Sequence, residues 1–125
     1  MSITNEAVQS VDLDILASFD EAQEEGEPDF VVELIDLYLE EAPRFFSSIR
    51  EGLTNHDWLS AKRAAHTLRG SSSNLGILQM ALVAGALEQL TANQDASAAE
   101  LLRALEDEFT RVEEILHAER HKRLS

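Results

Sequence analysis

From Leu13 to Leu116 the apolar residues of this 125-residue chain recur at +3 and +4, and nowhere do they alternate with period two over the length of a strand. Leu34, Ile35, Tyr38, Ala42, Phe45, Ile49 and Leu53 make one stripe. Trp58, Ala61, Ala65, Leu68, Ser72 and Leu75 make a second, and Ile77, Met80, Ala84, Leu87 and Leu90 a third. Leu102, Leu105, Phe109, Val112 and Leu116 complete the set. Residues so spaced fall on one face of a helix, and that face must be covered. Short breaks rich in Gly and Asn separate the stripes, so sequential helices turn back on one another. The chain is therefore expected to be all-α, an antiparallel four-helix bundle. Leu13, Leu16 and Phe19 add a short N-terminal helix, over about residues 12–23, that would cap one end.

Local signals set the boundaries. Residues 1–11 are polar without a period and read as a flexible tail, leaving 12–125 as a single domain. Pro28 and Asp29 suit the start of the second helix, one by its fixed φ and the other by its charge at the dipole's positive end. Pro43 interrupts that helix's hydrogen-bond ladder and predicts a kink near Leu39 or Glu40, or two helical pieces. Asn55 is the expected cap of the third helix, over about 56–73. Ser97 with Glu100 reads as a capping box for the last, which would run to about Arg120.

Charge excludes several functions. The formal net charge is −14, and thirteen acidic residues precede Arg44, the first Lys or Arg. Nucleic-acid binding needs the opposite sign. The most apolar stretch, 75–87, holds Gln79 and two glycines, and it is shorter than the roughly 20 residues of a membrane span. With no cysteine and no basic, apolar leader, a cytoplasmic protein is expected. The start at Met1 and the absence of linker-like ends favour a free-standing protein over a domain of a larger chain. Gly70 and Gly76 lie within a helical pattern and form no phosphate loop, so no ATP site is expected. His117 and His121 have a spacing that can clamp a metal, but no third ligand is evident, and a solvated helix end is the expectation. Ser71, Ser72 and Ser73 lack the strand–turn–helix setting of a hydrolase nucleophile.

The informative stretch is Ala64-Ala65-His66-Thr67-Leu68-Arg69-Gly70-Ser71-Ser72-Ser73-Asn74-Leu75-Gly76. Lys62, His66, Arg69 and Ser73 share a polar face about a third of a turn from the apolar stripe, so the imidazole should point into water. A glycine costs a helix about 1 kcal/mol relative to alanine, and serines compete for backbone hydrogen bonds. Their concentration beside an exposed imidazole makes sense if another surface must come close to that ring. Cations around it (Lys62, Arg63, Arg69) make sense if the group delivered is anionic. Imidazole, with an ordinary pKa of about 6.5, is a competent neutral nucleophile at pH 7. The pattern thus suggests an acceptor for a phosphoryl group carried by a partner protein.

The run from His66 to Gly76 resembles the signature of the histidine-containing phosphotransfer (HPt) domains of phosphorelays, usually His-x-x-Lys-Gly-Ser-Ser followed by a hydrophobic-Gly pair. The acidic, Leu-rich segment 29–41 and the pair Leu87-Glu88 match as well. The resemblance implies that His66 is the phosphoacceptor, that Arg69 stands where the family has lysine, and that Gly70 is the small residue below the ring. Lys62, Arg63 and Ser73 would join them in the phosphate environment and docking face. It further implies a phosphocarrier without kinase activity of its own. Receiver domains of response regulators, or a hybrid sensor histidine kinase, would be the partners. No cofactor would be bound by this chain, with Mg²⁺ carried by the receiver, and a monomer suffices for a single exposed site. The alternative is an all-α adaptor that docks a signalling partner without being phosphorylated.

Overall fold

A computed structural model describes residues 8–125, and every described element is helical. They are α1 (Leu13–Ala17) continued by a 3₁₀ turn (Ser18–Ala22), α2 (Phe30–Thr54), α3 (Trp58–Asn74), α4 (Leu78–Ala92) and α5 (Ala98–Leu124). The last four form the bundle. Each packs on its neighbours in sequence, and α5 closes the ring against α2.

Side-chain pairs establish the antiparallel arrangement. Arg120 meets Asp36 and Arg50 meets Glu106 between α5 and α2. Tyr38 meets Ser72 between α2 and α3, and His66 meets Glu88 between α3 and α4. In every pair the higher number on one helix faces the lower on the other. The core between them is built from the four stripes, with Ile35, Ile49, Leu68, Met80, Leu87, Leu105 and Leu116 essentially sealed from water. Burying such side chains contributes about 1.5–3 kcal/mol each, which no single surface contact approaches.

Several local expectations are corrected. Phe46, not Phe45, is the buried member of its pair, because the stripe steps Ala42 to Phe46 and lays that ring edge-on against Phe109 at 5.3 Å. Pro43 does not divide α2, which runs through it as one 25-residue helix. Pro43 lies on the exposed side, where the carbonyl freed by its missing N–H can be solvated. Asn55 is the C-cap of α2. The N-cap of α3 is Asp57, whose carboxylate accepts from the Ser60 N–H at 3.2 Å. His56, at φ 56°, turns the chain between them. Ser97 makes no capping box, since its N–H and hydroxyl both donate to Asp95 Oδ1 at 2.9 and 2.6 Å. The last helix extends four residues past Arg120, to Leu124.

Of the expected N-terminal tail, residues 1–7 lie outside the described residues. Over residues 8–11 the Gln9 carbonyl accepts from the Gln79 N–H at 3.2 Å, and Val11 is buried. The Asp12 N–H then donates to the Gly76 carbonyl at 2.7 Å. Gly76 sits at φ +79°, and a Cβ there would lie 2.8 Å from Ile15, so this corner between α3 and α4 requires glycine.

Candidate functional site

Helix α3 presents two faces. Ala61, Ala65, Leu68 and Ser72 are fully buried, and Ala64 nearly so. The small side chains let α4 lie close, and the Ser72 hydroxyl is satisfied by Tyr38 at 2.7 Å. Burial pushes the Tyr38 phenol well above its ordinary pKa, so it stays neutral. Lys62, Arg63, His66, Arg69, Gly70 and Ser73 are all exposed. The helical phase thus separates core from site as the sequence indicates.

His66 stands on the middle turns of α3 with its side chain 60 % exposed. Its Nδ1 lies 2.9 Å from Glu88 Oε2 on α4 and 3.1 Å from an Arg69 terminal nitrogen. The Arg69 Nε in turn pairs with Glu88 Oε1 at 3.1 Å. Three side chains thus close a triangle on one side of the ring. Nε2 has no protein partner among the described residues and faces outward.

Glu88 was not recognisable as a site residue from sequence beyond its place in the Leu87-Glu88 pair. Its side chain is only 16 % exposed, held by the α3–α4 packing against the imidazole. Gly85, one turn before it, makes room for Arg69, since a Cβ there would sit 3.1 Å from the Arg69 Cδ. Arg69 therefore lies along α4 while remaining half exposed.

Two shallow grooves flank the ring. One is lined by Leu59, Lys62, Arg63, Thr67 and Glu88, and the other by Val8, Arg69, Gly70, Ser73 and Leu82. Leu59 is 55 % exposed and Leu82 41 % exposed, so each groove carries an uncovered apolar side chain beside cations. A Cβ on Gly70 would meet nothing within 4 Å. Its openness is on the solvent side, which is what an approaching surface needs. Among the described residues no group of three or more His, Asp or Glu side chains is placed to hold a metal. Among the described residues no helix is long and apolar enough to cross a membrane.

Comparison with known proteins bears on the family and the fold. The family model of the Hpt domain matches residues 33–115. The fold is similar to the crystal structure of histidine-containing phosphotransfer protein B from Pseudomonas aeruginosa. The two are 26 % identical with a TM-score of 0.82, over 90 % of this chain and 96 % of that one. A histidine-containing phosphotransfer protein from maize shares the fold, with a TM-score of 0.77 at 22 % identity, over 95 % of this chain and 92 % of that one. No curated protein sequence gives a significant match.

Proposed function

We infer the function from one premise, that this chain belongs to the Hpt domain family. Its work is histidine phosphotransfer in phosphorelay signalling, and proteins of this family are phosphocarriers rather than kinases. Hpt domains interact with receiver domains and histidine kinases. For this chain we assign the acceptor to Nε2 of His66, with a receiver aspartyl phosphate as donor and a second receiver aspartate as the onward acceptor.

The observation that supports this assignment is the uncovered Nε2 on a rigid helix, with Nδ1 turned inward to Glu88. A Glu88 carboxylate accepting from Nδ1–H leaves the lone pair on Nε2. Transfer needs that lone pair in line with the leaving oxygen. The Nε2–P bond forms as the P–O bond to the aspartate breaks, and the carboxylate leaves with the electron pair. The ring keeps its Nδ1 proton, and the positive charge it acquires faces Glu88. Lys62, Arg63 and Arg69 supply positive potential to the transferring oxygens, while Gly70 and Ser73 leave room for the partner's surface. Mg²⁺, carried by the receiver, would neutralise charge on the phosphoryl oxygens from the partner's side.

The test is to incubate the chain with phosphorylated receivers and look for acid-labile, base-stable phosphate. His66→Gln should abolish labelling while leaving the helical circular-dichroism spectrum unchanged. Labelling that survives the substitution places the acceptor elsewhere. Receiver binding without labelling of the unsubstituted chain leaves the adaptor reading in its place.

A further inference from the structure

Two groups of opposite demand meet at one nitrogen. The Arg69 guanidinium is permanently protonated and can only donate, so its 3.1 Å contact requires Nδ1 to offer a lone pair. The ring proton is then on Nε2, and the outward nitrogen is no nucleophile. The Glu88 carboxylate can only accept, so its 2.9 Å contact requires Nδ1–H and frees the Nε2 lone pair. An imidazole nitrogen has one in-plane direction, for either a proton or a lone pair. The two contacts therefore favour opposite tautomers, and only one of them can be a hydrogen bond at a time.

The geometry points to Arg69 as a gate on the nucleophile, opened by the anion it will transfer. With no phosphate near, Arg69 holds part of the His66 population in the Nε2–H form, which cannot attack. An arriving phosphoryl group offers the guanidinium a doubly charged, bidentate partner in place of a neutral ring nitrogen. Arg69 turns toward it, Nδ1 takes up the proton and donates it to Glu88, and the Nε2 lone pair appears where the phosphorus arrives. The proton lost from Nε2 is the one gained at Nδ1, exchanged through solvent, so the ring stays neutral until the P–N bond forms.

The side chain is placed for both positions. Gly85 lets its stem lie along α4, with Nε 3.1 Å from Glu88 Oε1, so the whole planar guanidinium can turn together from the ring toward the groove. Arg69 also lines the groove beside Gly70 and Ser73, on the side open to a partner. A lysine at this position has a single terminal nitrogen. It offers no planar edge to share between Glu88 and the ring, as the Arg69 Nε and terminal nitrogen do.

This gate rests on His66 as acceptor, and the two can fail separately. The acceptor is tested by labelling of His66→Gln, the gate by the tautomer of the unphosphorylated ring. Nitrogen-15 spectra of the labelled full chain, recorded where imidazole is neutral, distinguish protonated from unprotonated ring nitrogens, and His66→Gln identifies the His66 signals. The unsubstituted chain should show a substantial Nε2–H population. Arg69→Ala should convert it at least fivefold toward Nδ1–H, and Glu88→Ala should move it the opposite way. Inorganic phosphate at tens of millimolar, which delivers no phosphoryl group, should shift the unsubstituted chain toward Nδ1–H and leave Arg69→Ala unmoved. Identical tautomer ratios in the unsubstituted chain and Arg69→Ala overturn the gate. A ratio that Arg69→Ala changes but phosphate does not makes Arg69 a fixed brake and overturns its release.

Discussion

Gly70 separates a glycine kept for access from glycines kept for packing. At Gly52 an added Cβ would lie 2.9 Å from Ala61, so that residue lets α2 and α3 meet. At Gly70 it would meet nothing. Gly70→Ala should therefore stabilise the fold by up to about 1 kcal/mol, the helix propensity difference, as read in urea melts. Gly70→Gln should fold equally well yet slow phosphotransfer by at least tenfold, because its side chain stands where the partner must approach. Transfer at the unsubstituted rate would refute the steric reading. At this scale much of the site was legible. Helix phase alone turned Lys62, His66, Arg69 and Ser73 outward, and Gly70 marked the opening. Glu88 is not legible in this way. Its meeting with His66 is a tertiary contact across 22 residues of sequence, fixed by how α3 packs against α4.

The helices themselves were readable because each apolar stripe spans several turns, and their ends were not. Asn55, Asp57, Ser97 and Asp95 can all cap, and which one does is decided by backbone angles such as the positive φ of His56. Pro43 shows the same limit from the other side. The break it predicts is overridden by burial of Tyr38, Ala42 and Phe46 on a continuous face. Since the ladder still lacks one hydrogen bond there, Pro43→Ala should stabilise α2. An exposed helical proline costs up to about 3 kcal/mol relative to alanine, less what its rigidity removes from the unfolded chain. A higher urea midpoint at unchanged slope would bear this out. A lower one would mean that the carbonyl of Leu39 is already well satisfied.

Across the whole molecule, Arg123 ties three parts of the chain together. Its guanidinium pairs with Asp20 at 2.9 Å after the short first helix, with the α2 cap Asp29 at 3.4 Å, and with Glu119 at 2.8 Å on its own helix. At 14 % exposure it is the most covered cation of the ion pairs. The Arg123 hydrogen bond holds the Asp20 carboxyl below its ordinary pKa. A depressed carboxyl contributes its stability in full above the unfolded value of about 3.9 and loses it as pH falls through the folded value. Arg123→Ala should cost about 1–2 kcal/mol at pH 7, a modest figure because the partners are partly solvated. The gap from the unsubstituted chain should narrow as pH falls below about 4, where the unfolded chain protonates Asp20 first and the folded chain follows at lower pH. Thermal melts at pH 7 and pH 3 check this, and a difference that does not change with pH would assign Arg123 to packing instead.

The hydrogen bonds from Gln9 and Asp12 onto the turn at Gly76 set where the chain enters the bundle, and Val8 lies in the groove beside Gly70. A bulky or charged side chain put at Val8 would therefore stand at the rim of the very surface a visitor has to land on, and would act on transfer as a change within the site does.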